Sequence, residues 1–205
     1  DDSIYGGTGN DSLDYNWSSG NDTLHGGKGN DQYYVYAGSG SDTIIELEDE
    51  GWDTIHTSVS FSLEEIANVE WLFSFSNTTD DLTLTGNSLN NYIHPSSGNC
   101  TIDGGAGTDT AYYSTTWAKD DCTIFRSGGL LKVTKGNGNT DTLINCEQIK
   151  FSDQTVTISQ LTFGIVVSEF TPAQDATGVA VAADITVTFS EAIKRGTGDI
   201  TLKTD

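Results

Sequence analysis

The chain has 205 residues, with 30 acidic and nine basic side chains and a formal net charge of -21 at pH 7. Glycine is abundant, at 23 residues, and no run of about 18 apolar residues is present that could span a membrane. This composition excludes a helical bundle, because so much Gly, Asp, Ser and Thr disfavours long helices. It also excludes a basic nucleic-acid-binding protein, because the phosphate backbone would be repelled.

The negative charge is concentrated in the first part of the chain. Residues 1–118 contain 19 acidic residues and one basic residue, Lys28, whereas residues 119–205 contain 11 and eight. A segment with so strong an imbalance repels itself and stays expanded unless cations neutralise it. We therefore expect the first part of the chain to require bound cations for compaction.

Glycine-rich stretches repeat along the sequence. Three nine-residue copies begin at Gly6, Gly26 and Gly104, and weaker copies occupy residues 18–24 and 38–44. Each strong copy reads Gly-Gly-x-Gly-x-Asp, and the aspartates of the first copies are spaced alternately by 9 and 11 residues up to position 42. Alternate aspartates are thus 20 residues apart, which accommodates two loops and two short strands. The period predicts one coil of a flattened solenoid.

An apolar side chain follows each repeat aspartate after one polar residue. The residues in this position are Leu13, Leu24, Tyr33, Ile44 and Ile55. We expect each of them to lie in a short strand and to point inward. A single coil buries too little apolar surface for stability, so stacking of coils and bound metal must supply it.

The repeat loops carry the chemistry of a hard cation. Glycines allow the positive φ values of a tight loop and let backbone carbonyls converge on one point. The aspartate adds a charged oxygen, so that two stacked loops can present about six oxygens to one ion. Such an all-oxygen ligand set indicates calcium rather than zinc.

The pattern resembles the calcium-binding nonapeptide repeat of the RTX (repeats-in-toxin) family, G-G-x-G-x-D-x-U-x, in which U is a large apolar residue. The resemblance covers residues 1 to about 160 in two blocks, and it implies an all-β fold, a parallel β-roll with a calcium row along each side. A hairpin-turn explanation of Gly-Asn-Asp accounts neither for the register of the aspartates nor for the local charge.

The resemblance also implies which residues bind calcium. The side-chain ligands carried over by position are Asp11, Asp22, Asp31, Asp42 and Asp53. The loop backbone that completes the sites is assigned to Gly6, Gly7, Thr8, Gly9, Gly20, Gly26, Gly27, Lys28, Gly29 and Gly40. The glycine pair is replaced by Ser18-Ser19 in one loop and by Gly38-Ser39 in another, and residues 50–53 hardly form a loop of the family, so we expect looser or empty sites there.

The second block is degenerate. Residues 86–93 and 95–102 keep the nine-residue step, but the aspartate position holds Asn91, Cys100 and Asp109 in successive copies. Only Asp109 keeps a charged ligand, with Gly105 and Gly107 as its loop partners. Because fewer ligand charges weaken calcium binding, we expect this block to stack mainly by packing.

The segment between the blocks has an alternating strand pattern over residues 58–63. Trp71, Phe73 and Phe75 then alternate, which is typical of core positions and only rarely of a sugar-binding platform. After Asp109 the strands become longer, at residues 130–134 and 141–151, and resemble the capping stretch that follows many RTX blocks.

The sequence carries no sign of catalysis. C-x-x-C, H-E-x-x-H and G-x-S-x-G motifs are missing, so we predict no catalytic residues and no enzyme activity. The three cysteines are an odd count for a secreted chain. Cys122 and Cys146 lie in apolar strand contexts, and the sequence leaves open a disulfide between them or two buried free thiols.

A different all-β pattern begins near residue 165, where Ile185, Val187 and Phe189 alternate strictly. This segment resembles the beginning of a bacterial Ig-like domain of large surface proteins. A complete sandwich of this type needs about 100 residues and seven strands. We therefore expect the chain to be a piece of a longer polypeptide, in which the missing strands lie outside the sequence or are supplied by another chain.

The predicted organisation is a calcium β-roll at residues 1–58, connecting strands at 59–85, a degenerate second block with capping strands at 86–160, and a partial Ig-like domain at 165–205. We predict a non-catalytic, calcium-dependent structural module of a secreted or cell-surface protein, of adhesin, surface-layer or extracellular-fibre type. The family resemblance implies type I secretion from a Gram-negative-type bacterium.

Two alternatives are the accessory roll of a secreted RTX enzyme and a calcium-assisted carbohydrate-binding module. The expected partners are calcium ions, neighbouring copies or other modules of the same surface protein, and cell-surface glycans.

Overall fold

A computed structural model of the chain describes residues 1–13, 20–75, 78–113 and 116–163, together with the backbone of two strands at 167–171 and 186–189. Helix within these residues is limited to two three-residue 3₁₀ turns, Lys119–Asp121 and Ile158–Gln160. The all-β class predicted from the sequence is confirmed. The chain divides into two compact units, residues 1–125 with 130–161 and residues 126–129 with 162–205.

Short strands alternate between two faces of the first unit. The first twelve are β1 (Ser3–Thr8), β2 (Ser12–Leu13), β3 (Thr23–Lys28), β4 (Gln32–Val35), β5 (Thr43–Ile45), β6 (Thr54–Thr57), β7 (Phe61–Ser62), β8 (Trp71–Ser74), β9 (Thr83–Thr85), β10 (Tyr92–His94), β11 (Thr101–Asp103) and β12 (Thr110–Tyr112). Five more follow: β13 (Thr123–Ser127), β14 (Leu130–Thr134), β15 (Thr140–Ile144), β16 (Gln148–Lys150) and β17 (Thr155–Thr157).

The strands build a parallel β-roll. One face is an eight-stranded sheet in the order β17-β16-β12-β10-β8-β6-β4-β2. The opposite face consists of a three-stranded sheet, β1-β3-β5, and a six-stranded sheet, β13-β14-β15-β11-β9-β7. Each coil adds one strand to each face, and strands of successive coils pair in parallel. The solenoid that the 20-residue period predicted is therefore present.

The core is formed by rows of apolar side chains that stack from coil to coil. On the eight-stranded face, the paired inner positions are Leu13, Tyr33, Ile55, Leu72, Ile93, Ala111 and Ile149. All five residues that the repeat pattern predicted to point inward are at most 7% exposed. That prediction is confirmed.

The C-terminal end of the roll changes to antiparallel pairing. β14 pairs antiparallel with β15, and β17 pairs antiparallel with β16. β17 is thereby the edge strand of the eight-stranded sheet at that end. A short antiparallel edge strand ends the parallel stack and leaves few backbone groups open for further pairing.

The aromatic stripe after the first block does not lie in the core, so this expectation was wrong. Leu72 and Ser74 of β8 face the interior, and the period of two places Trp71 and Phe73 on the outer face, where both are half-buried. Phe75, also half-buried, follows the strand.

These aromatic rings stack on rings of neighbouring strands instead of filling the interior. Phe73 lies on His94 at a centroid distance of 4.0 Å, and Trp71 on Tyr92 at 4.5 Å. Cross-strand ring stacking stabilises the sheet from its outer surface.

The cysteines are free thiols, so the second of the two alternatives for Cys122 and Cys146 describes the structure. Cys122 is buried and Cys146 is half-buried. The sequence predicted strand contexts for both residues, but both lie outside the strands. Cys122 follows the first 3₁₀ turn, and Cys146 lies in the loop between β15 and β16.

The second unit is described by two antiparallel strands, β18 (Val167–Thr171) and β19 (Thr186–Phe189). β19 contains Val187 and Phe189 of the alternating pattern. Ile185, the first residue of that pattern, lies outside the described residues.

Candidate metal centre

The repeat loops lie in two rows, one along each side of the roll. The Asp31 row is formed by the loops that precede the even-numbered strands β2 to β12 and β16, and it contains Asp11, Asp31, Asp53, Glu70, Asn91, Asp109 and Glu147. The Asp22 row lies on the other side and contains Asp2, Asp22 and Asp42. Five of the six predicted side-chain ligands lie in the first block, divided between the two rows. The sixth, Asp109, lies in the second block and belongs to the Asp31 row.

Carboxylates link successive coils of the Asp31 row through one oxygen each. The backbone N–H of Asp11 donates to Asp31 Oδ1 at 2.7 Å, and that of Asp31 donates to Asp53 Oδ1 at 2.7 Å. The N–H of Asp53 donates to Glu70 Oε2 at 3.0 Å. In the second block, Asp109 N–H donates to Glu147 Oε2 at 2.7 Å. This ladder fixes the register of the loops and leaves the second carboxylate oxygens for another partner.

The Asp22 row repeats this link. Asp2 N–H donates to Asp22 Oδ1 at 2.7 Å, and Asp22 N–H donates to Asp42 Oδ1 at 3.0 Å. Asp22 is 2% exposed. Residues 14–19, which precede Asp22 in the sequence, lie outside the described residues.

Three carboxylates of the Asp31 row have a buried second oxygen that no described residue contacts with a hydrogen-bond donor. Oδ2 of Asp11, Asp31 and Asp109 receives no hydrogen bond from any described residue. A buried charged oxygen that lacks a partner is strongly destabilising. The charge on each of these oxygens must therefore be neutralised by a proton or by a bound cation.

Each of these oxygens lies close against the first residue of its loop, where only glycine fits. A Cβ built on Gly6 would lie 2.8 Å from Asp11 Oδ2, and a Cβ on Gly104 would lie 2.7 Å from Asp109 Oδ2. A Cβ on Gly26 would collide with Asp31 Oδ2. The missing side chain lets a carbonyl oxygen approach the same point, since a Cβ on Gly6 would also lie 2.7 Å from Gly26 O.

Asp31, Asp53 and Glu46 form the tightest carboxylate cluster among the described residues. One oxygen of each lies within 4.8 Å of the others, and the side chains are 0%, 1% and 5% exposed. Glu46 Oε1 accepts a hydrogen bond from Tyr33 Oη, whereas its Oε2 has no donor among the described residues. The three residues are called the Glu46 cluster below.

Burial raises the pKa values of these carboxyls. The pKa of Glu46 is raised to about 7 and that of Asp53 to about 6, first by desolvation and then by the neighbouring carboxylates. Desolvation likewise raises the pKa of Asp31, and it raises that of Asp109 to about 6. Without a cation, these groups favour their protonated forms at the pH where exposed carboxyls are ionised.

From these raised pKa values we predict that the stability of the fold depends on pH with opposite signs in chelator and in calcium. The raised pKa values mean that the calcium-free folded state binds more protons than the unfolded chain, so its stability falls as the pH rises from about 4.5 to about 7. We expect the melting temperature in chelator to fall on the order of 5–10 °C across this window. In saturating calcium it should rise instead, because the metal binds the deprotonated ligands.

Thermal unfolding followed by circular dichroism, at about pH 5 and about pH 7.5 with chelator or calcium, checks this prediction. A melting temperature in chelator that stays constant or rises with pH would contradict it.

The ligand chemistry of the Glu46 cluster suits calcium. Calcium takes six to eight oxygens at about 2.3–2.6 Å, from carboxylates, backbone carbonyls and water. The cluster offers three carboxylates without sulfur or imidazole, which argues against the softer transition metals. The residues present thus fit a hard divalent cation, with Asp31, Glu46 and Asp53 as its side-chain ligands and calcium as the neutralising charge.

The predicted loop residues adopt the backbone that the repeat requires. Positive φ angles occur at Gly7, Gly9, Gly20, Gly27, Gly29, Gly40, Gly105 and Gly107. Gly6 and Gly26 do not have positive φ angles, and they are glycine because the repeat carboxylates lie too close for a Cβ. Thr8 pairs with Lys28 in the β1–β3 register, and the Lys28 carbonyl accepts the N–H of Gly9 at 2.6 Å.

Several residues of the site were missed by the sequence analysis. Glu46 holds the place of Gly26 one coil later, since Ile45 pairs with His25, and its 20-residue offset from Gly26 was a usable signal. Glu70 and Glu147 accept the ladder hydrogen bonds but belong to no recognisable repeat, so no spacing pointed to them.

Amide groups take over in the degenerate loops of the second block. Asn91 Nδ2 donates to Val69 O at 3.0 Å. Asn87 Nδ2 donates to the carbonyls of Ile66 and Val69, each at 3.0 Å. Neutral N–H donors thus engage loop carbonyls on the side of the roll where the first block places carboxylates.

Comparison with known families identifies both parts of the chain. Residues 1–17, 18–44 and 84–114 match the family model of the RTX calcium-binding nonapeptide repeat. The chain carries RTX repeats. Residues 162–205 match the family model of the bacterial Ig-like domain. Both resemblances inferred from the sequence are confirmed, and no curated protein or solved structure matches the chain significantly.

The two matches make the chain a calcium-binding module of a bacterial surface or secreted protein. The RTX repeats form the β-roll, and the Ig-like match covers the second unit. Within the described part of the chain, no helix has the length and apolar character required to cross a membrane.

Proposed function

We propose that the RTX roll is a non-catalytic scaffold of an adhesin, surface-layer or extracellular-fibre protein, which folds when calcium binds between its coils. The observation that carries this proposal is the set of buried carboxylate oxygens without donors, on Asp11, Asp31, Glu46 and Asp109. A cation that neutralises them converts a destabilising burial into a crosslink between coils.

The proposed sites lie between successive loops of each row. In the Asp31 row, Asp11, Asp31, Asp53 and Glu46 supply charged oxygens, and the glycine-rich loops supply carbonyls. In the Asp22 row, Asp22 and Asp42 take the same part. Asp109, with the loop at Gly105 and Gly107, forms a further site in the second block.

Coupling of folding to calcium gives the module a compartment switch. Calcium is scarce in the cytosol and plentiful outside the cell, so residues 1–118 stay expanded inside, where their charges repel one another. Once exported, the chain binds calcium and becomes compact. This order of events fits export of an unfolded chain by type I secretion.

The Ig-like match after the roll supports a surface-array role over the accessory roll of a secreted enzyme. In such arrays, rigid modules follow one another, and neighbouring modules or copies are the natural partners. The outer aromatic face gives less support to a glycan-binding role, because Phe73 and Trp71 each have one ring face covered by His94 and Tyr92.

Equilibrium dialysis of the full chain against calcium, with magnesium in excess, tests the proposal. We expect roughly four to six calcium ions per chain, bound at or below about 1 mM free calcium. Magnesium should not compete, because it demands near-ideal octahedral geometry and keeps its waters. Fewer than one bound calcium ion per chain under these conditions would overturn the proposal.

A further inference from the structure

A buried lysine lies between two loops of the second block. Lys135 is 2% exposed, and its ammonium donates to Ser96 O at 2.8 Å, to Gly98 O at 2.6 Å and to Asp141 Oδ1 at 2.9 Å. These three acceptors use all three ammonium hydrogens. The lysine is therefore bound as completely as a cation in a binding site.

The loop that Lys135 contacts is a degenerate repeat loop. Residues 95–100 follow the copy at 86–91 by nine residues, and Cys100 holds the position of the repeat aspartate. Ser96 and Gly98 hold the second and fourth positions of the loop, as Gly27 and Gly29 do in the first block. The carbonyls that bind the ammonium thus belong to the loop positions that the repeat devotes to ion binding.

Asp141 supplies the carboxylate of the next coil. Thr101 pairs with Thr142, so Cys100 and Asp141 are equivalent positions on successive coils, as Asp22 and Asp42 are in the first block. Cys100 N–H donates to Asp141 Oδ1 at 2.8 Å, which reproduces the ladder link from Asp22 N–H to Asp42 Oδ1. The ammonium, the loop carbonyls and the carboxylate therefore lie between one coil and the next, at the position where the repeat links two successive loops. This link between two coils is called a step below.

This carboxylate differs from those of the Asp31 row because both of its oxygens have donors. Asp141 Oδ2 accepts Tyr113 Oη at 2.8 Å. The corresponding oxygens of Asp11, Asp31 and Asp109 have none among the described residues. The step at Lys135 is thus neutralised and hydrogen-bonded by the chain itself.

We propose that the Lys135 ammonium is a tethered cation, which takes the ion position between residues 95–100 and Asp141 and makes this step independent of calcium. Two backbone carbonyls and a carboxylate oxygen remain as a hard-oxygen ligand set when the side chain is shortened. Shortening Lys135 therefore creates a calcium site. The inference goes beyond the proposed function, since it concerns a step that binds no calcium in the native chain.

An entry route for the ion is present. A cavity of about 290 Å³ is lined by Ser96, Tyr113, Trp117 and Lys135, next to the ammonium. Truncation of Lys135 extends this cavity to Asp141 Oδ1 and the two carbonyls. Water and a calcium ion can then complete the coordination of these three oxygens, which a site with few protein ligands requires.

The test compares Lys135→Ala with Lys135→Met in the full chain, in chelator and in saturating calcium. Both variants should melt well below the native chain in chelator, because Asp141 is left buried without its counter-charge. In calcium, the melting temperature of Lys135→Ala should recover most of its decrease relative to the native chain. The melting temperature of Lys135→Met should not recover in this way, because the methionine side chain fills the ion position. Dialysis should show one more calcium ion per chain in Lys135→Ala than in the native chain.

Lys132→Ala is the matched control, three residues before Lys135 in strand β14. Lys132 Nζ donates to Thr142 Oγ1 and is half-buried, so its loss should leave both the ion count and the calcium-induced shift unchanged. The proposal is overturned if Lys135→Ala binds no additional ion, or if its calcium-induced shift equals that of the native chain. If Lys135→Ala is unfolded in chelator, folding on calcium addition supports the proposal, and failure to fold in calcium refutes it.

The two calcium hypotheses remain distinguishable in this experiment. The ion count of the native chain tests the proposed function, whereas the difference between Lys135→Ala and the native chain tests the tethered cation.

Discussion

Replacing Asp31 by asparagine is expected to weaken calcium binding to the first block by at least about tenfold. Asp31 is fully buried, and it serves two steps of its row at once. Its Oδ1 accepts the N–H of Asp11, and one of its carboxylate oxygens lies within 4.8 Å of carboxylate oxygens of Glu46 and Asp53. Asparagine keeps the shape and the ladder acceptor but removes a ligand charge, and ligand charge sets calcium affinity. Calcium titration by isothermal calorimetry measures the effect.

Asp80→Asn is the control for this prediction. Asp80 is exposed and lies outside both rows, so its substitution changes the net charge equally without touching a site. We expect its calcium affinity to match that of the native chain. Equal affinities for Asp31→Asn and Asp80→Asn would contradict the assignment of Asp31 as a ligand.

Calcium withdrawal is expected to unfold the first block and to spare most of the second. Among the described residues, buried carboxylate oxygens without a donor occur on Asp11, Asp31 and Glu46 of the first block and on Asp109 of the second. Elsewhere in the second block, Asn91 and Lys135 supply N–H groups to loop carbonyls. Without calcium, charge repulsion should therefore open the N-terminal coils, while the C-terminal coils keep their hydrogen bonds.

Hydrogen exchange of the full chain in chelator resolves the two blocks. Amides of β4 and β6 should lose protection by several orders of magnitude, and those of β11, β15 and β16 should stay protected. Addition of calcium should restore protection to β4 and β6, and magnesium at the same concentration should not. Equal protection of both blocks in chelator would contradict the predicted division.

The coil geometry could be predicted because one period determines both the strands and the loops. The 20-residue step fixed which residue of each coil turns inward, as Leu24 and Tyr33 do with no exposed surface. It also placed Asp11 and Asp31, 20 residues apart, on the same side of the roll. A regular repeat transmits local information across the whole stack, since each coil contacts only its neighbours.

Residues without a repeat context could not be placed in this way. Glu70 and Glu147 reach the Asp31 row from connections of irregular length, and the coil to which each belongs is set by strand pairing. Lys135 reaches its loop from the β14–β15 turn, roughly 40 residues further along the chain, and only the folded structure brings it to Ser96.

The prediction that the aromatic stripe lies in the core was wrong for a different reason. Alternation shows that Trp71 and Phe73 share one face of β8, but it does not show which face is inside. The pairing of Leu72 with Ile55 and Ile93 decides that question, because these residues belong to the inner row. Where a strand has apolar residues on both faces, the register of its neighbours determines the orientation.

The most direct test of calcium as the link between coils is a crystal structure of the full chain grown in saturating calcium, with anomalous data collected at long wavelength. We predict an anomalous peak at the Glu46 cluster, within about 2.3–2.6 Å of Asp31 Oδ2 and Glu46 Oε2. Coils stacked as described here, with no anomalous peak beside these oxygens, would contradict the account.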